Sequence, residues 1–237
     1  YSAKTTLNYA AFQSARLAAV NNATYSSLRR GLIRGLAPLY TSNASLTSVR
    51  TDIDAGINSN NTKRDSKSEV DSYTKIIRIS PRSKHFRTTS FGVRNSEGLY
   101  EIPNDNLMYR PETRSDGASV QDANLLKIKV QYCYKLMVPL VNRIIGSLSE
   151  LNNQRTNQRI YETVNDPKFS DANRFYTDIS AGTLASYSQL CGDRAGGNEG
   201  FIISAEAIVR MQSPAFEVDG DEDFGGYMCD GIKMACP

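Results

Sequence analysis

Four aspartates near the C-terminus have the spacing of oxygen ligands in a calcium-binding loop. Asp219, Asp221, Asp223 and Asp230 stand at the first, third, fifth and twelfth positions of this stretch. Those positions carry ligands in an EF-hand, which also needs glycine at the sixth position and normally has glutamate at the twelfth. The sixth position here is Phe224, and Asp230 is shorter than glutamate. We therefore favour an unliganded acidic turn, with a looser calcium loop as the alternative and no other cofactor.

The chain has one histidine, His85, in a segment that also carries Arg82, Lys84 and Arg87. Catalysis by histidine requires a nucleophile and an orienting acid nearby, and no motif that supplies them surrounds His85. The glycine-rich run at 192–197 has neither the P-loop nor the dinucleotide-binding spacing. We therefore predict that the protein is not an enzyme and that His85 is a loop histidine among cations.

A basic stretch spans residues 63–94, with nine Lys or Arg against three acidic residues. Phe86 and Phe91 are interleaved with these cations, a combination found in grooves that bind single-stranded nucleic acid. A solvated surface is the commoner cause of such a stretch, and a net charge of +3 is too small to argue for a polyanionic partner. We therefore expect a solvated basic surface and no nucleic-acid partner, with contact to anionic lipid head groups as the alternative near a membrane.

The four cysteines allow three pairings, and no pair has the C-x-x-C spacing of zinc or redox motifs. We favour a short C-terminal bridge between Cys229 and Cys236 and a second bridge between Cys133 and Cys191, with four buried free thiols as the alternative. Each bridge would stabilise the fold by about 2–4 kcal/mol. Paired thiols would place the domain in the periplasm or outside the cell.

The length of 237 residues suits one domain, or one domain with a large insertion. With 40% apolar and 22% charged residues, the composition is that of a folded globular protein rather than a disordered one. No window reaches the run of about 18 apolar residues that a membrane-spanning helix needs. No signal peptide is visible either.

The elements that position these residues begin with a helix over residues 1–30, which contain no glycine or proline. Small or apolar residues recur there every three or four positions, as on one face of a helix. The stripe is light, with Ala11, Ala15, Ala18 and Ala19 close together, and small side chains let another element approach the backbone closely. Two interpretations follow: an amphipathic core helix, or the soluble half of a longer helix whose apolar half precedes it.

Further helices are predicted downstream. The segment Asn21–Thr24 interrupts the first pattern, and Thr24 is a plausible N-cap for a second helix that Pro38 ends. A third helix is expected from Ala44 to Asn58, a polar loop or helix end from 58 to 72, and another helix from Val138 to Leu151.

Strands follow the N-terminal helices. They are predicted at Thr74–Ile79, with less regular alternation at 86–93, and then at 99–102, Lys127–Lys135 and Phe201–Met211. In the Lys127–Lys135 strand, Ile128, Val130, Tyr132 and Tyr134 should face the core, because side chains alternate along a strand. If Cys133 is bridged, Cys191 must then cover the opposite face of the sheet. In the last strand, one side should carry Ile203, Ala205, Ala207 and Val209.

The predicted organisation is α+β in a single domain, with the helices preceding most of the strands. Its parts are a helical region over 1–58, strands over 73–136, a loop-rich insertion over 152–198, and a return strand with a C-terminal loop over 199–237.

Several runs resemble one family. The run TLNYAAFQSARLAAVNNA at 6–23 and the run RGLIRGLAPLY at 30–40 are similar to TadE-like pilus assembly proteins, which are pilin-like proteins of the tight-adherence (Tad/Flp) type IV pilus system. Further similar runs, in family order, lie at 102–110, 120–130, 135–143 and 205–214.

The resemblance implies a pilin-like fold, in which a long N-terminal helix packs on an antiparallel sheet. It implies a minor pilin or pseudopilin whose partners are other pilin-like subunits and the inner-membrane assembly platform. The location implied is the bacterial inner membrane, facing the periplasm, or a cell-surface pilus. The family begins with a basic leader and a membrane helix that this sequence lacks. We therefore expect the gene to encode about 20 further apolar residues before Tyr1.

The assembly surface is then expected on the Tyr1–Val20 helix. Its candidate residues are Leu7, Ala11, Ala15, Ala18 and Ala19, because a small-residue face allows a neighbouring helix to approach closely. An extracytoplasmic adhesin-like binding module at a pilus tip, using the insertion over 152–198, is the alternative function.

Overall fold

The computed structural model describes residues 2–40, 66–87, 91–96, 98–115, 118–135, 184–192, 200–217 and 233–236. Within these ranges the helices are α1 (Ser2–Ala19), α2 (Tyr25–Tyr40), α3 (Ser66–Tyr73), α4 (Ser83–Arg87), α5 (Val120–Ala123) and α6 (Tyr187–Cys191). The strands are β1 (Thr74–Ser80), β2 (Val93–Arg94), β3 (Tyr100–Ile102), β4 (Leu125–Tyr134), β5 (Phe201–Arg210), β6 (Ala215–Glu217) and β7 (Met234–Ala235). The helices predicted at 44–58 and 138–151, and most of the predicted insertion, lie outside the described residues.

The predicted interruption between the first two helices is confirmed, and the chain reverses direction there. Asn22 and Ala23 have positive φ angles of 58° and 55°, a left-handed conformation that commonly ends a helix. The Ala23 amide donates to the carbonyl of Ala18 at 2.9 Å. The hydroxyl of Thr24, the residue before α2, lies 2.8 Å from the Ser27 hydroxyl.

Pro38 does not end the second helix. It lies inside α2, which continues to Tyr40, so the predicted boundary is wrong. Proline costs a helix one amide hydrogen bond. Leu39 and Tyr40, the two residues after Pro38, pack against the hydrophobic core. This packing favours continuation of the helix past the proline.

The α1 and α2 backbones touch. A Cβ atom added at Gly35 would lie 2.3 Å from the Cα of Ala10, and one added at Gly31 would lie 2.6 Å from the Cα of Ser14. The Ser14 hydroxyl donates to the carbonyl of Leu28 at 2.7 Å. Side chains larger than hydrogen at the two glycines would force the helices apart.

The main sheet has the strand order β5-β4-β1-β7. β4 pairs antiparallel with both β1 and β5, and β7 pairs parallel with β1. α1 lies on β5 and β4, so the long helix covers one side of an antiparallel arrangement. The core between them includes Leu7, Ile128 and Val130, all fully buried.

The predicted strands at Thr74–Ile79, 99–102, Lys127–Lys135 and Phe201–Met211 are confirmed to within a few residues. Their predicted faces are confirmed as well. Ile128, Val130 and Tyr132 are buried in the core, and so are Ala205 and Ala207 of β5.

Two predictions for the middle of the chain are wrong. The described residues of the predicted 86–93 strand do not form it, since α4 extends to Arg87 and β2 begins only at Val93. The neighbours His85 and Phe86 are both fully buried, which a helical turn allows. The sequence predicts a solvated loop or helix end at 58–72, but in α3 the Glu69 carboxylate is buried and accepts a hydrogen bond from the Tyr132 hydroxyl at 2.9 Å.

A second sheet has the strand order β2-β3-β6. A buried ion pair between Arg78 of β1 and Glu217 of β6 links it to the main sheet. The Arg78 guanidinium also lies 4.8 Å from the centre of the Phe86 ring. A buried charge is tolerated only when a partner compensates it, so this pair fixes how the two sheets meet.

Candidate assembly surface

The alanine face of α1 is buried within the chain. Leu7, Ala11, Ala15 and Ala18 are fully buried, and Ala19 is only 1% exposed. The expectation that these residues stay available to a neighbouring subunit is therefore wrong. The same small side chains that would admit a neighbour's helix instead admit α2 and the sheet of this chain.

The opposite face of α1 is exposed and carries large apolar side chains. Tyr9 is 53% exposed, Phe12 46% and Val20 47%. Thr5 and Arg16 are exposed on the same side. The steps of three and four residues from 5 to 16 place the first four of these residues on one stripe of α1, and Val20, the residue after the helix, continues the spacing. We call these five residues the outer stripe.

The sequence contains a signal for the outer stripe that the prediction overlooked. The apolar spacing was assigned to the alanine side, and Tyr9, Phe12 and Val20 fall outside it. Large apolar residues on the side of a helix opposite its small-residue stripe indicate a second contact surface. Isolated exposed apolar residues are ordinary, whereas an aligned group marks an interaction site.

One end of α1 lies against the sheet margin. The Lys4 side-chain amine donates to the carbonyl of Ser204 in β5, and β5 is the outermost strand of the main sheet. α1 therefore lies above the margin of the sheet, with its first turn tied to the β5 backbone.

α2 is fixed to α3 by an ion pair with two hydrogen bonds. Arg29 Nε lies 2.5 Å from Asp71 Oδ1, and Arg29 Nη2 lies 2.6 Å from Asp71 Oδ2. The hydrogen bond with Asp71 raises the pKa of Arg29 above its usual value, against the opposing effect of burial. The Lys233 amine also donates to the Asp71 carbonyl, so the residues before β7 are held at the same point.

The predicted bridge between Cys133 and Cys191 is present. It ties α6 to β4 on the face of the sheet opposite the core residues, as predicted for a bridged Cys133. Two hydrogen bonds support it, from the Ala185 amide to Gln131 Oε1 at 2.8 Å and from the Tyr187 hydroxyl to a backbone carbonyl at 2.9 Å.

The second predicted cysteine pair is described in part. Cys236 is disulfide-bonded, while its predicted partner Cys229 lies outside the described residues. The four aspartates of the proposed calcium loop, at 219, 221, 223 and 230, lie outside them too. Within the described ranges, no group of three or more His, Cys, Asp or Glu side chains could hold a metal ion.

His85 is not a loop histidine surrounded by solvated cations. It is fully buried in α4, where its Nδ1 accepts a hydrogen bond from the Arg82 amide at 3.3 Å. Its ring lies 5.7 Å from the ring of Phe91. Lys75 and Arg78 of the same basic stretch are also buried. The stretch is therefore divided between interior and surface, and the expected continuous solvated surface is wrong for these residues.

A second exposed apolar feature is the turn that carries Met108 and Tyr109, which are 85% and 84% exposed. The Arg110 side chain closes the turn, donating to the Asp105 carboxylate at 2.8 Å and to its carbonyl at 3.0 Å. Gln121 Nε2 donates to the carbonyls of Leu107 and Arg110 at 2.9 and 3.0 Å, which also holds the turn in place. Two large side chains thus project from a hydrogen-bonded base.

The described part of the chain contains no helix long and apolar enough to cross a membrane. No model of a known protein family, no curated protein and no solved structure matches this chain. Its function is therefore argued from the geometry above and from the family resemblance of its sequence.

Proposed function

We propose that this chain is a pilin-like assembly subunit, similar to a TadE-like minor pilin or pseudopilin of a tight-adherence pilus. It contributes by lateral packing against other pilin-like subunits at the inner-membrane assembly platform. The outer stripe of α1 is the contact surface, and the chain makes or breaks no covalent bond.

The two-faced burial of α1 carries this proposal. One face of the helix is filled by α2 and the sheet, while the other presents Tyr9 and Phe12 to solvent, followed by Val20 just after the helix. Fully burying an exposed large apolar side chain contributes about 1.5–3 kcal/mol, and roughly half of that is still available for each of these half-buried side chains. A second helix packed along this stripe would gain that free energy without disturbing the internal contacts.

The architecture supports the proposal. An N-terminal helix on an antiparallel sheet is the arrangement that the family resemblance implies. The similar runs at 6–23 and 30–40 contain the residues at which α1 and α2 touch. Gly31 and Gly35 of the second run stand where a Cβ would meet the α1 backbone.

The disulfide supports an extracytoplasmic location. A bridge such as Cys133–Cys191 persists in oxidising compartments, among them the bacterial periplasm and the cell surface. Both belong to the route that a pilus subunit takes.

The exposed turn at Met108 and Tyr109 favours a second candidate function, an adhesin-like binding module at a pilus tip. Tyrosine and arginine are both enriched among the residues that dominate binding energy at interfaces. Tyr109 and Arg110 are neighbours in this turn. This candidate predicts loss of adhesion, with normal pilus assembly, when both turn residues are replaced by serine.

The decisive experiment compares variants of the full-length gene in its native host. We expect Phe12→Asp to abolish or strongly reduce pilus formation, because a charge would be buried at the subunit contact. Val93→Asp is the matched control, since Val93 is 47% exposed on β2 of the second sheet. Normal piliation of the Phe12→Asp strain, with the protein present at its usual level, would refute the proposed contact surface.

The gene itself provides an independent test. The proposal requires a segment of about 20 apolar residues encoded before Tyr1, enough to span a bilayer. A start codon immediately before Tyr1 would rule out the pilin-like function.

A further inference from the structure

β5 lies at one end of the main sheet among the strands that the structure describes. β5 pairs with β4 over all ten of its residues, from Phe201 opposite Tyr134 to Arg210 opposite Leu125. Among the strands that the structure describes, none pairs with its other side. A long edge strand presents backbone donors and acceptors on which another strand can form a ladder.

The side chains of β5 divide into two rows. Ala205 and Ala207 are buried on the side that faces α1, whereas Glu206, Ile208 and Arg210 are exposed on the other side. Ile208 is 52% exposed. The exposed row therefore has an acidic residue (Glu206) at one end, a basic residue (Arg210) at the other and the aliphatic Ile208 between them.

This row is complementary to itself in the antiparallel direction. When two copies of β5 run antiparallel with Ile208 opposite Ile208 of the second copy, each Glu206 stands opposite an Arg210. Directly opposed side chains on one face of an antiparallel pair lie about 4.5–5.5 Å apart at Cβ, and opposite charges at that separation attract. We propose that β5 is a self-association edge, through which two copies of this chain join their main sheets around Ile208.

Electrostatics selects this register. Centring the pair on Glu206 would oppose two glutamates, and centring it on Arg210 would oppose two arginines. Like charges directly opposite each other destabilise a strand pair. The two favourable ion pairs occur together only when Ile208 lies on the two-fold axis, and a symmetric dimer interface repeats each contact twice.

The contacts already present are compatible with this pairing. Glu206 lies 3.7 Å from the Lys127 amine and 3.2 Å from the Lys129 amine, both on β4, so its carboxylate lies on the exposed face of the sheet. Lys4 donates to the Ser204 carbonyl. Ser204 stands two residues before the five-residue segment Glu206–Arg210, so the Lys4 contact lies outside the central ladder.

This interface is separate from the proposed function. It uses the sheet margin and the exposed row of β5, not the outer stripe of α1. It requires no pilus or membrane, so it can be tested on this chain alone whether or not the assembly proposal holds.

Sedimentation equilibrium of the disulfide-intact chain measures the association, over a range of protein concentrations at low and high salt. We expect a monomer–dimer equilibrium that weakens as salt rises, because screening reduces the two ion pairs. Glu206→Arg and Arg210→Glu should each raise the dimer dissociation constant about tenfold or more, since each change turns both attractive pairs into repulsive ones.

A charge exchange distinguishes direct pairing from a general loss of stability. An equimolar mixture of Glu206→Arg and Arg210→Glu chains should form a heterodimer, because each chain then opposes the other's charges at both positions. The double variant Glu206→Arg/Arg210→Glu should recover the homodimer for the same reason. Melting temperature and near-UV circular dichroism of every variant verify the fold.

Three results would overturn the proposal. They are a chain that stays monomeric at millimolar concentration, single variants that dimerise as strongly as the original, and a mixture that associates no better than either variant alone. Ile208→Lys adds an independent check. It places two lysines at the two-fold axis and should also abolish the dimer.

Discussion

The inward and outward faces of α1 invert the usual relation between side-chain size and burial. The inward face is lined mainly by alanine and serine, such as Ala10, Ser14 and Ala15, all fully buried. The outward face carries the larger Tyr9 and Phe12, about half exposed. Interiors ordinarily take the large apolar residues. The difference shows that α1 and α2 pack through close approach of their backbones, while the large apolar side chains of α1 lie on its exposed face.

Each face has a different sensitivity to substitution. Where backbones touch, an added methyl group has no space, and close-packed interiors respond to a single methylene. On the outer stripe, truncation removes area that the isolated chain does not bury. The four substitutions below, from the largest expected effect to the smallest, test this contrast.

Gly35→Ala should have the largest effect on stability. Helix propensity alone predicts stabilisation by up to about 1 kcal/mol. The added Cβ would lie 2.3 Å from the Ala10 Cα, so we expect a net destabilisation of about 3 kcal/mol, measured by urea denaturation. Arg30→Ala, at an exposed position on α2, is the control and should change little. An increase in stability for Gly35→Ala would contradict the close contact.

Ala15→Leu should destabilise the fold by about 1–3 kcal/mol, because it overpacks a fully buried position. Its neighbour Arg16 is exposed, and Arg16→Leu should alter stability by no more than about 0.5 kcal/mol. Thermal unfolding of the two variants compares the faces at adjacent residues. Equal effects would remove the distinction between them.

Ser14→Ala should cost about 0.5–1.5 kcal/mol, the usual net contribution of one hydrogen bond. The lost bond is the 2.7 Å contact from the Ser14 hydroxyl to the Leu28 carbonyl. Thr6→Ala is the matched control, since its hydroxyl bonds the Ser2 carbonyl at 2.9 Å on the exposed side. Denaturation midpoints should separate the two variants, with the control close to the original chain.

Phe12→Ser should have the smallest effect on the isolated chain, within about 0.5 kcal/mol, as for most surface substitutions. Its consequence should appear as lower self-adhesion and higher solubility, because exposed apolar area is removed. A loss of stability above 1 kcal/mol in calorimetry would mean that Phe12 belongs to the core.

The sequence predicts much of the helix and strand content because long periodic patterns dominate there. α1, α2, β4 and β5 each carry at least ten residues of consistent spacing, so local pattern and tertiary packing agree. The alternation in β4 even identifies the face on which Cys133 and Cys191 meet.

The burial of a charged or polar side chain is not predicted where its contact partner is far away in the sequence. Arg78 reads as a surface cation until Glu217, 139 positions later, is brought beside it. His85 likewise becomes an interior residue through α4, a helix of only five residues with too few positions to show a period. The alanine stripe of α1 predicts close approach correctly but cannot say whether the neighbour comes from the same chain.

The bridge between Cys133 and Cys191 has a consequence for how this protein can diversify. The two Cα atoms lie 5.6 Å apart although the cysteines are 58 positions apart in the chain, so the bridge closes a long loop between β4 and α6. The entropic cost of lengthening a closed loop grows only with the logarithm of its length. A change in the number of residues between 135 and 184 should therefore alter the loop-closure entropy little, while the bridge keeps β4 and α6 together.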